Sequence, residues 1–260
     1  SHGILWARRK VNFFDWYHFL ISKKLIKKEK HCIVANDTDF YNEFNLKINS
    51  NKNLFNSYND IFYFFPNCVD TSKFYPKNKN NVQNTILVPR NIRKDRGIHL
   101  AIETFNIFLK KYPNFKMIIV GTPNFGSYYE KCLKLASSFK IIDKINFIGH
   151  SKWEDMINHY NNAKITLIPT IAKEGTSRSA LESMACKTPC VTTNVGGLSD
   201  LPSKLCGANA KDLAEGLIEV VENYEAFSSN QFEMVTKKYN INEWNINWTN
   251  LIKRLINEKC

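Results

Sequence analysis

The fold of this chain is decided by one stretch, KITLIPTIAKEGTSRSALESMACKTPCVTTNVGG, residues 164–197. It reads as an apolar strand at 164–169, a loop, an apolar-faced helix at 177–186 and a second strand at 189–193. A strand–helix–strand unit of this length is typical of a parallel sheet, because parallel strands need a long crossover. Ligands of open α/β sheets bind beyond the carboxyl ends of the strands, so the loop that follows residue 169 is the first place to look for a site.

The same alternation extends outward from this stretch. Strands are predicted at 86–89, 117–121, 145–148, 165–169 and 189–193, and helices at 97–112, 128–139, 152–161, 177–186 and 211–224. In the helix at 97–112 the apolar residues recur with a period near 3.6. Alternation of this kind predicts an α/β fold with a doubly wound parallel sheet. Two further strands are expected at 32–36 and 61–65, with a loop or irregular helix at 45–59 between them.

Composition places broad limits on the chain. It has 260 residues, 43% of them hydrophobic, which is enough for one large domain or two small ones. A net charge of +12 permits anionic partners such as nucleotide phosphates, anionic lipids or nucleic acid. The seven cysteines form no CxxC pair, which argues against a zinc site and favours a reducing compartment. No apolar run approaches the roughly 18 to 20 residues of a membrane span, and no signal peptide is evident.

Two glutamates, Glu174 and Glu182, bracket a Gly-Thr-Ser turn. If both were helical they would lie about 12 Å apart along the axis, a reach comparable to that from the sugar to the ribose of a nucleotide-sugar. Free backbone N–H groups at Thr176 and Ser177 can receive phosphate oxygens, and Gly175 allows close approach to a ligand. Alternatively, Ser177 caps the helix and both carboxylates are solvated, which is commoner for this pattern in isolation.

An ordered series of motifs gives this pattern its context. The series resembles the retaining enzymes of glycosyltransferase family 4, which have the GT-B fold. The segment at 67–76, NCVDTSKFYP, is similar to the family's NGVDxxxFxP, with cysteine in place of glycine. The segment at 86–97, ILVPRNIRKDRG, resembles its GRLxxxKG phosphate loop, and INFIGH at 145–150 resembles the strand that borders the nucleobase. The two glutamates, followed by Pro189 and Gly196-Gly197, resemble its two-glutamate signature, so the likeness covers residues 60 to 260.

The resemblance implies three parts. Residues 1–75 would be a truncated remnant of the amino-terminal, acceptor-side α/β domain with its linker, and residues 76–240 would be a Rossmann-like domain that binds the nucleotide-sugar donor. Residues 241–260 would form a helix that crosses back to the amino-terminal part and buries Trp244 and Trp248. The family's first hundred or so residues would be missing, so we expect the chain to bind nucleotide yet transfer sugar poorly.

The resemblance also implies roles for single residues. Glu174 would contact the transferred sugar, Glu182 would bind the ribose hydroxyls, and the backbone of Gly175, Thr176 and Ser177 would meet the donor diphosphate or sugar. Arg96 stands at the family's lysine position, where a cation stabilises the departing phosphate.

Three further residues belong to this implied site. Gly149 would border the nucleobase. His2, in the pair His2-Gly3, resembles a histidine that lies near the sugar, although His2 also fits a residue left by an expression tag. The phosphate loop departs from the family, because its phosphate-binding arginine aligns with Asn91 while Arg90 takes a glycine position. Either Arg90 reaches round to the phosphate, or Arg93 or Lys94 substitutes, or the contact is lost; of the arginines, Arg96 carries more weight here than Arg90.

The implied activity is a retaining, hexosyltransferase-type transfer from a UDP- or GDP-sugar to a glycan, lipid-linked or other hydroxyl acceptor. No metal or other cofactor is expected. A basic helix expected near residues 13–30 either rests on an anionic membrane surface or is an ordinary helix with a solvated lysine face, the latter being commoner. We expect a cytoplasmic protein, with a peripheral position at the inner membrane face as the variant.

Two alternatives stay open from the sequence. One is a basic α/β module that binds nucleic acid, which the charge and aromatic content allow but for which no motif is present, so no nucleic-acid partner is expected. The other keeps the GT-B fold and changes the reaction to that of an epimerase or phosphorylase.

Overall fold

Two sheets organise the chain in a computed structural model, which describes residues 33–39, 57–58, 62–77, 82–123, 126–172 and 174–257. The smaller sheet contains β1 (Ile33–Ala35), β2 (Ser57–Tyr58) and β3 (Phe62–Phe64). The larger sheet contains β4 (Gln83–Val88), β5 (Lys116–Val120), β6 (Ile145–Gly149), β7 (Ala163–Ile168), β8 (Cys190–Thr193) and β9 (Lys204–Cys206). Its order is β6-β5-β4-β7-β8-β9, with every neighbouring pair parallel. This arrangement confirms the predicted doubly wound parallel sheet.

Helices connect the strands of the larger sheet and continue to the end of the described chain. They are α1 (Ile98–Phe108), α2 (Ser127–Ser138), α3 (Met156–Asn162), α4 (Arg178–Ala185), α5 (Ala210–Glu222), α6 (Tyr224–Lys238) and α7 (Ile241–Asn257). Short 3-10 turns occupy Lys94–Arg96, Ile142–Lys144, Trp153–Asp155 and Gly196–Asp200. The predicted elements of this part are all present, while β9 and α6 were not predicted.

Both faces of the larger sheet are buried. Ile86 of β4 belongs to one core cluster, with residues of α1, α2 and α5. Its neighbour Leu87 belongs to the other, with Leu181 of α4 and Val235 of α6. Successive strand residues point to opposite faces, so a continuous apolar run such as ILV is what two helical layers require.

The smaller sheet carries the last helix on it. β1 and β3 pair in parallel, and β2, which lies in the stretch expected to be loop or irregular helix, pairs with β3 antiparallel. Phe65, directly after β3, meets Trp248 of α7 edge to face with ring centroids 5.0 Å apart. Tyr63, Phe65 and Leu251 form a core cluster of their own, packed by Trp248 and Leu255. The last helix therefore packs on the smaller sheet, and its role as a helix that crosses back to an amino-terminal domain stays a prediction.

Hydrogen bonds join the two sheets at the carboxyl end of β1. The hydroxyl of Thr38 donates to Asp200 Oδ1 at 2.6 Å and its backbone N–H donates to Oδ2 at 2.8 Å. The side chain of Asn36 lies so close to Gly175 that a Cβ there would be 2.7 Å from Asn36 Nδ2. We call this contact between residues 36–38 and residues 175–200 the junction. Glycine at 175 therefore serves the junction, since any side chain would displace Asn36.

The segment that leads from β3 to β4 is packed into the fold as far as residue 77. Val69 donates its backbone N–H to Tyr239 O at 2.8 Å and accepts from Ile241 N at 3.0 Å. Val69 and Phe74 are both buried in the second core cluster of the larger sheet. Whether it also marks a domain boundary, near residue 75, stays a prediction.

Some predictions fall on residues outside the described ranges, among them His2 and the basic helix near 13–30. Within the described ranges no helix combines the length and the apolar character that crossing a membrane requires.

Candidate functional site

A cavity of about 370 Å³ opens at the carboxyl edge of the larger sheet. Its wall is formed by residues that follow β4, β5, β6 and β7, where the strand ends of an open α/β sheet hold their ligands. The polar and aromatic groups of the wall include Arg90, Asn91, Arg96, His150, Trp153, Tyr160, Arg178, Ser179 and Glu182. The volume lies within the range of about 300 to 1,000 Å³ that small-molecule sites occupy.

Gly97 brings the loop after β4 against the end of β7. It has a left-handed backbone, with φ of 71°, and closes the turn Lys94–Arg96 ahead of α1. A Cβ at this position would lie 1.9 Å from the carbonyl oxygen of Pro169, so only glycine fits. Ile171 N donates to Asp95 O at 3.1 Å and ties the same two loops together. The loop that carries Arg96 and the loop that carries Glu174 are therefore held side by side.

An ion-pair cluster fills this meeting point. Arg90 Nη2 donates to Glu174 Oε1 at 2.7 Å and to Ser177 Oγ at 2.8 Å. Arg96 Nη1 donates to Glu174 Oε2, which also accepts from Thr170 Oγ1 at 3.2 Å. The side chains of Arg90 and Glu174 are each only 10% exposed. One carboxylate is thus shared by two arginines, and Arg96 Nε also lies 3.7 Å from Asp95 Oδ2.

Arg90 also has a polar atom without a partner. Its Nε is buried and makes no hydrogen bond to any described residue. A buried donor left unpaired is costly and calls for an explanation. A ligand that carries several acceptor oxygens would satisfy it.

The structure distinguishes the readings of the phosphate loop. Asn91 lies in the cavity wall, but its Oδ1 accepts from Thr122 N at 3.1 Å, so it fastens the loop to the residues after β5. Arg93 pairs with Asp95 at 3.0 Å and is not part of the cavity wall. Arg90 does lie in the wall, which supports the reading that Arg90 reaches round into the site. Arg90 and Arg96 both bind Glu174 and both line the cavity, and the greater weight of Arg96 as a phosphate ligand stays a prediction.

Glu182 lies in the cavity wall on the second turn of α4 and is 8% exposed. Its Oε2 accepts from the hydroxyl of Tyr160 at 2.9 Å, and its Oε1 accepts from Trp153 Nε1 at 3.2 Å. Burial raises the pKa of this carboxyl above its ordinary value, while the two hydrogen bonds and the positive charges of Arg178 and Arg90 act against that rise. Each oxygen keeps acceptor capacity for a further donor. The alternative of two solvated glutamates is therefore wrong.

The residues at the start of α4 that reach the cavity are not the two that the sequence suggested for a phosphate contact, Thr176 and Ser177, but the two that follow them. Arg178 and Ser179, the first residues of the helix, line the cavity. Thr176 is buried, its hydroxyl donates to Asn36 O, and its carbonyl accepts from Asn67 Nδ2 at 2.6 Å. Ser177 precedes the helix without a side-chain cap, and its hydroxyl accepts from Arg90 instead. Glu174 lies before the helix, so the spacing of two helical glutamates does not apply.

Four of the ten predicted site residues thus lie in the cavity wall: Arg90, Asn91, Arg96 and Glu182. Glu174 and Ser177 are not in the wall but accept hydrogen bonds from Arg90, which is. Gly175 and Thr176 contact Asn36 at the junction. Gly149 ends β6 just before His150 of the wall, and His2 lies outside the described residues. Their roles as ligands of a donor stay predictions.

Sequence reasoning missed three groups of the site: Tyr160, Trp153 and Arg178. Tyr160 and Trp153 fall in the predicted helix at 152–161, where aromatic residues read as core. Arg178 lies within the two-glutamate signature, but the sequence does not show whether a basic side chain in the first turn of a helix points to solvent or into a site.

Metal-ligand geometry is not present in the described part of the chain. No group of three or more His, Cys, Asp or Glu side chains there lies close enough to hold an ion. The cavity wall offers guanidinium and hydroxyl donors together with one buried carboxylate. This combination suits a ligand that has a strongly anionic part and, within a few ångströms, hydroxyl groups.

Comparison with known proteins agrees with this chemistry. The family described as glycosyl transferases group 1 matches residues 70–234, more than half of the chain. The chain belongs to this family. Capsular polysaccharide biosynthesis glycosyltransferase CapM of Staphylococcus aureus is 30% identical over 109 residues, which cover 42% of this chain and 27% of CapM. A probable sucrose-phosphate synthase of Thermosipho melanesiensis is 27% identical over 207 residues, 75% of this chain and 48% of that protein.

Solved structures show the same architecture. The crystal structure of HepE from Anabaena, in complex with UDP and glucose, superposes with a TM-score of 0.78 at 14% identity and covers 97% of this chain and 70% of HepE. The predicted GT-B architecture is thereby confirmed, as is the predicted membership of a glycosyltransferase family. The nucleic-acid-binding alternative is not favoured. The chain spans about half the length, or less, of the curated relatives it matches.

Proposed function

We propose that this chain binds a nucleotide-sugar and supplies the donor half of a glycosyl transfer. One observation carries the proposal: the cavity brings Arg90 and Arg96, which hold Glu174 between them, to the same wall as the buried carboxylate of Glu182. Cations beside carboxylates match the two parts of such a donor, an anionic diphosphate and hydroxyl-bearing rings. Family membership supports the same assignment.

Each part of the donor has a partner in this arrangement. The diphosphate would lie against Arg90 and Arg96, with Arg178 and the first N–H groups of α4 completing the anion site. The ribose hydroxyls would donate to Glu182, whose two oxygens are oriented by Tyr160 and Trp153. The sugar would lie near Glu174. The nucleobase would lie toward Gly149 and His150 at the end of β6.

For the transfer step we propose the front-face displacement that the family resemblance implies. The bond between the anomeric carbon and the diphosphate oxygen breaks, and the nucleoside diphosphate leaves with the bonding electrons. The arginines stabilise the negative charge that develops on the leaving oxygen. An acceptor hydroxyl attacks the anomeric carbon from the face that the phosphate leaves, and its proton passes to the departing phosphate oxygen. Configuration at the anomeric carbon is then retained.

The donor and acceptor are proposed by chemical class. HepE was crystallised with UDP and glucose, which favours testing a UDP-hexose first and a GDP-hexose second. The acceptor is a glycan or lipid-linked hydroxyl, in line with the polysaccharide role in the name of CapM. A cytoplasmic location completes the proposal, with a peripheral position at an anionic membrane surface as the variant. We also propose that donor binding needs no metal, so excess EDTA should leave the affinity for UDP unchanged.

Isothermal titration of the full chain with UDP, GDP and a single-stranded RNA tests the proposal. We expect saturable binding of one nucleotide, and Glu182→Ala should weaken it by about tenfold or more. Glu233→Ala, at an exposed position on α6 outside the cavity wall, is the matched control and should bind as the parent does. Salt-sensitive RNA binding with no response to either nucleotide would refute the donor assignment. Turnover of the sugar-nucleotide to an isomer would instead favour the epimerase alternative.

A further inference from the structure

In the ion-pair cluster, Glu174 binds the two arginines that are proposed to bind the donor diphosphate, Arg90 and Arg96. Arg90 Nη2 donates one hydrogen to Glu174 Oε1, at 2.7 Å, and the other to Ser177 Oγ, at 2.8 Å. Arg96 Nη1 donates to the other oxygen of the same carboxylate. The carboxylate proposed to meet the sugar is thus the counter-ion of the arginines proposed to meet the diphosphate.

Competition for N–H groups decides whether a diphosphate can join this cluster or must replace part of it. The esterified diphosphate of a nucleotide-sugar carries two negative charges; Arg178 of the cavity wall adds a third cation to Arg90 and Arg96, and Asp95 Oδ2 lies 3.7 Å from Arg96 Nε. A phosphate oxygen that takes the N–H groups of Arg90 Nη2 and Arg96 Nη1 must displace Glu174 from them, because both anions would otherwise lie against the same donors. Exchange separates the two anions, and the released carboxylate keeps the hydrogen bond from Thr170 until sugar hydroxyls reach it.

Arg90 also shows where the incoming anion gains a contact. Its Nε is buried and unpaired among the described residues, while its Nη2 donates to Glu174 and Ser177. Movement of the guanidinium toward the cavity would offer this N–H to a phosphate oxygen. The buried hydroxyl of Thr170, 3.2 Å from Glu174 Oε2, stays beside the carboxylate when the arginines leave.

We propose that the donor diphosphate and Glu174 bind Arg90 and Arg96 in exchange, so that diphosphate binding releases Glu174 to accept hydrogen bonds from the transferred sugar. This inference rests on the proposed donor site and adds an order of events to it. The sugar acceptor becomes available only when the diphosphate is in place. A free sugar, which brings no anion, would meet a carboxylate that is already occupied.

The test is the affinity of the full chain for UDP, or for GDP if that is the nucleotide bound, measured by isothermal titration. Glu174→Gln keeps the shape of the side chain and removes the competing charge, so the affinity for the nucleoside diphosphate should rise about tenfold. Glu233→Gln makes the same charge change on the exposed face of α6 and should leave the affinity unchanged. The gain should depend on the diphosphate. The affinity for uridine or guanosine, measured by competition, should therefore be the same in Glu174→Gln as in the parent.

The outcomes separate this inference from the donor assignment. An affinity of Glu174→Gln equal to or below that of the parent, with the parent binding nucleotide, would overturn the exchange and leave the donor site standing. No nucleotide binding by any of the proteins would overturn both. If Glu174→Gln does not fold, Thr170→Val, which removes the hydroxyl that stays with the released carboxylate, should lower the affinity by about twofold. An unchanged or higher affinity for this variant would overturn the exchange as well.

Discussion

Tyr160 is a fully buried phenol whose hydroxyl donates to the carboxylate of Glu182 at 2.9 Å. Tyr160→Phe keeps the ring and removes this hydrogen bond to a charged group, so the carboxylate loses part of its orientation. We expect the affinity for UDP to fall about tenfold, and the affinity for 2′,3′-dideoxy-UDP to stay the same. Tyr239→Phe is the matched control, because its hydroxyl is also bonded, to Asp200 O at 2.6 Å, but away from the cavity. Equal losses for both nucleotides would show that Tyr160 acts only through the fold.

Glu182 also has a consequence for stability. Burial raises the pKa of its carboxyl in the folded protein, so folding favours the protonated form. A group of this kind stabilises the fold below its unfolded pKa and loses that contribution as the pH rises through the raised folded pKa. Glu182→Gln removes the titration and should therefore raise the melting temperature relative to the parent more at pH 8 than near pH 4. Thermal unfolding with Glu233→Gln as control measures this, and a pH-independent difference would contradict it.

The residues that the sequence singled out include Glu182, Arg90 and Arg96, which all lie in the cavity wall, and Glu174, which lies behind Arg90. A signature places residues along the chain, because a helix start and a strand end fix the backbone there, but it does not set the direction of a side chain. Arg90 was harder, because a long side chain reaches several ångströms in a direction that the sequence does not set. Trp153 and Tyr160 carried no signal, since a buried aromatic that packs and one that donates to a carboxylate look alike in a sequence.

Among the elements, the turn at Lys94–Arg96 depends most on one residue. Gly97 combines a left-handed backbone with a carbonyl 1.9 Å from where its Cβ would be, whereas Gly149 has φ of 80° and no described atom within 4 Å of that point. Gly149→Ala should cost about 1–2 kcal/mol of unfolding free energy from backbone strain alone. Gly97→Ala should cost at least about 2 kcal/mol more, because the loop must move. It should also weaken UDP binding, since Arg96 moves with the loop.

Urea unfolding of the two alanine variants, together with titration by UDP, checks this pair. Equal destabilisation would mean that the loop after β4 tolerates the methyl group and that Gly97 is needed only for its backbone angle.

Strong periodicity made most elements predictable. Strands such as β4 are continuous apolar runs because helices cover both faces, and α1 shows its buried stripe in the sequence. The two elements that were missed lack such patterns. β9 has only three residues, and α6 buries Ser228, Gln231 and Val235, two of them polar, so its buried side is not an apolar stripe.

For the whole molecule, α7 fastens the smaller sheet. Trp248 packs against Phe65, while Ile252 on the same helix is 50% exposed. Trp248→Ala should lower the unfolding free energy by about 2–4 kcal/mol through lost packing. Ile252→Ala should change it by less than about 0.5 kcal/mol. Chemical denaturation gives both values, and similar small effects would mean that the smaller sheet does not rely on the helix.

The junction is the part of the molecule that the sequence did not foretell. Asn36 and Gly175 carry no pattern that links them, and glycine at 175 suggested a ligand instead of a neighbouring side chain. Contacts between distant segments depend on how the sheets are placed, which local propensity does not encode. The stripe of α7 was an exception, because two tryptophans on one helix face require a partner surface.

The junction has a kinetic consequence. The bonds of Thr176 to Asn36 and of Thr38 to Asp200 close loops of 140 and 162 residues, whereas neighbouring strands of the larger sheet meet over much shorter stretches. Closing long loops is slow and entropically costly, so these bonds should form late in refolding. The amide of Thr38, which donates to Asp200, would become protected from hydrogen exchange after the amides of β5. Folding would then proceed from the larger sheet to its contacts with the smaller sheet.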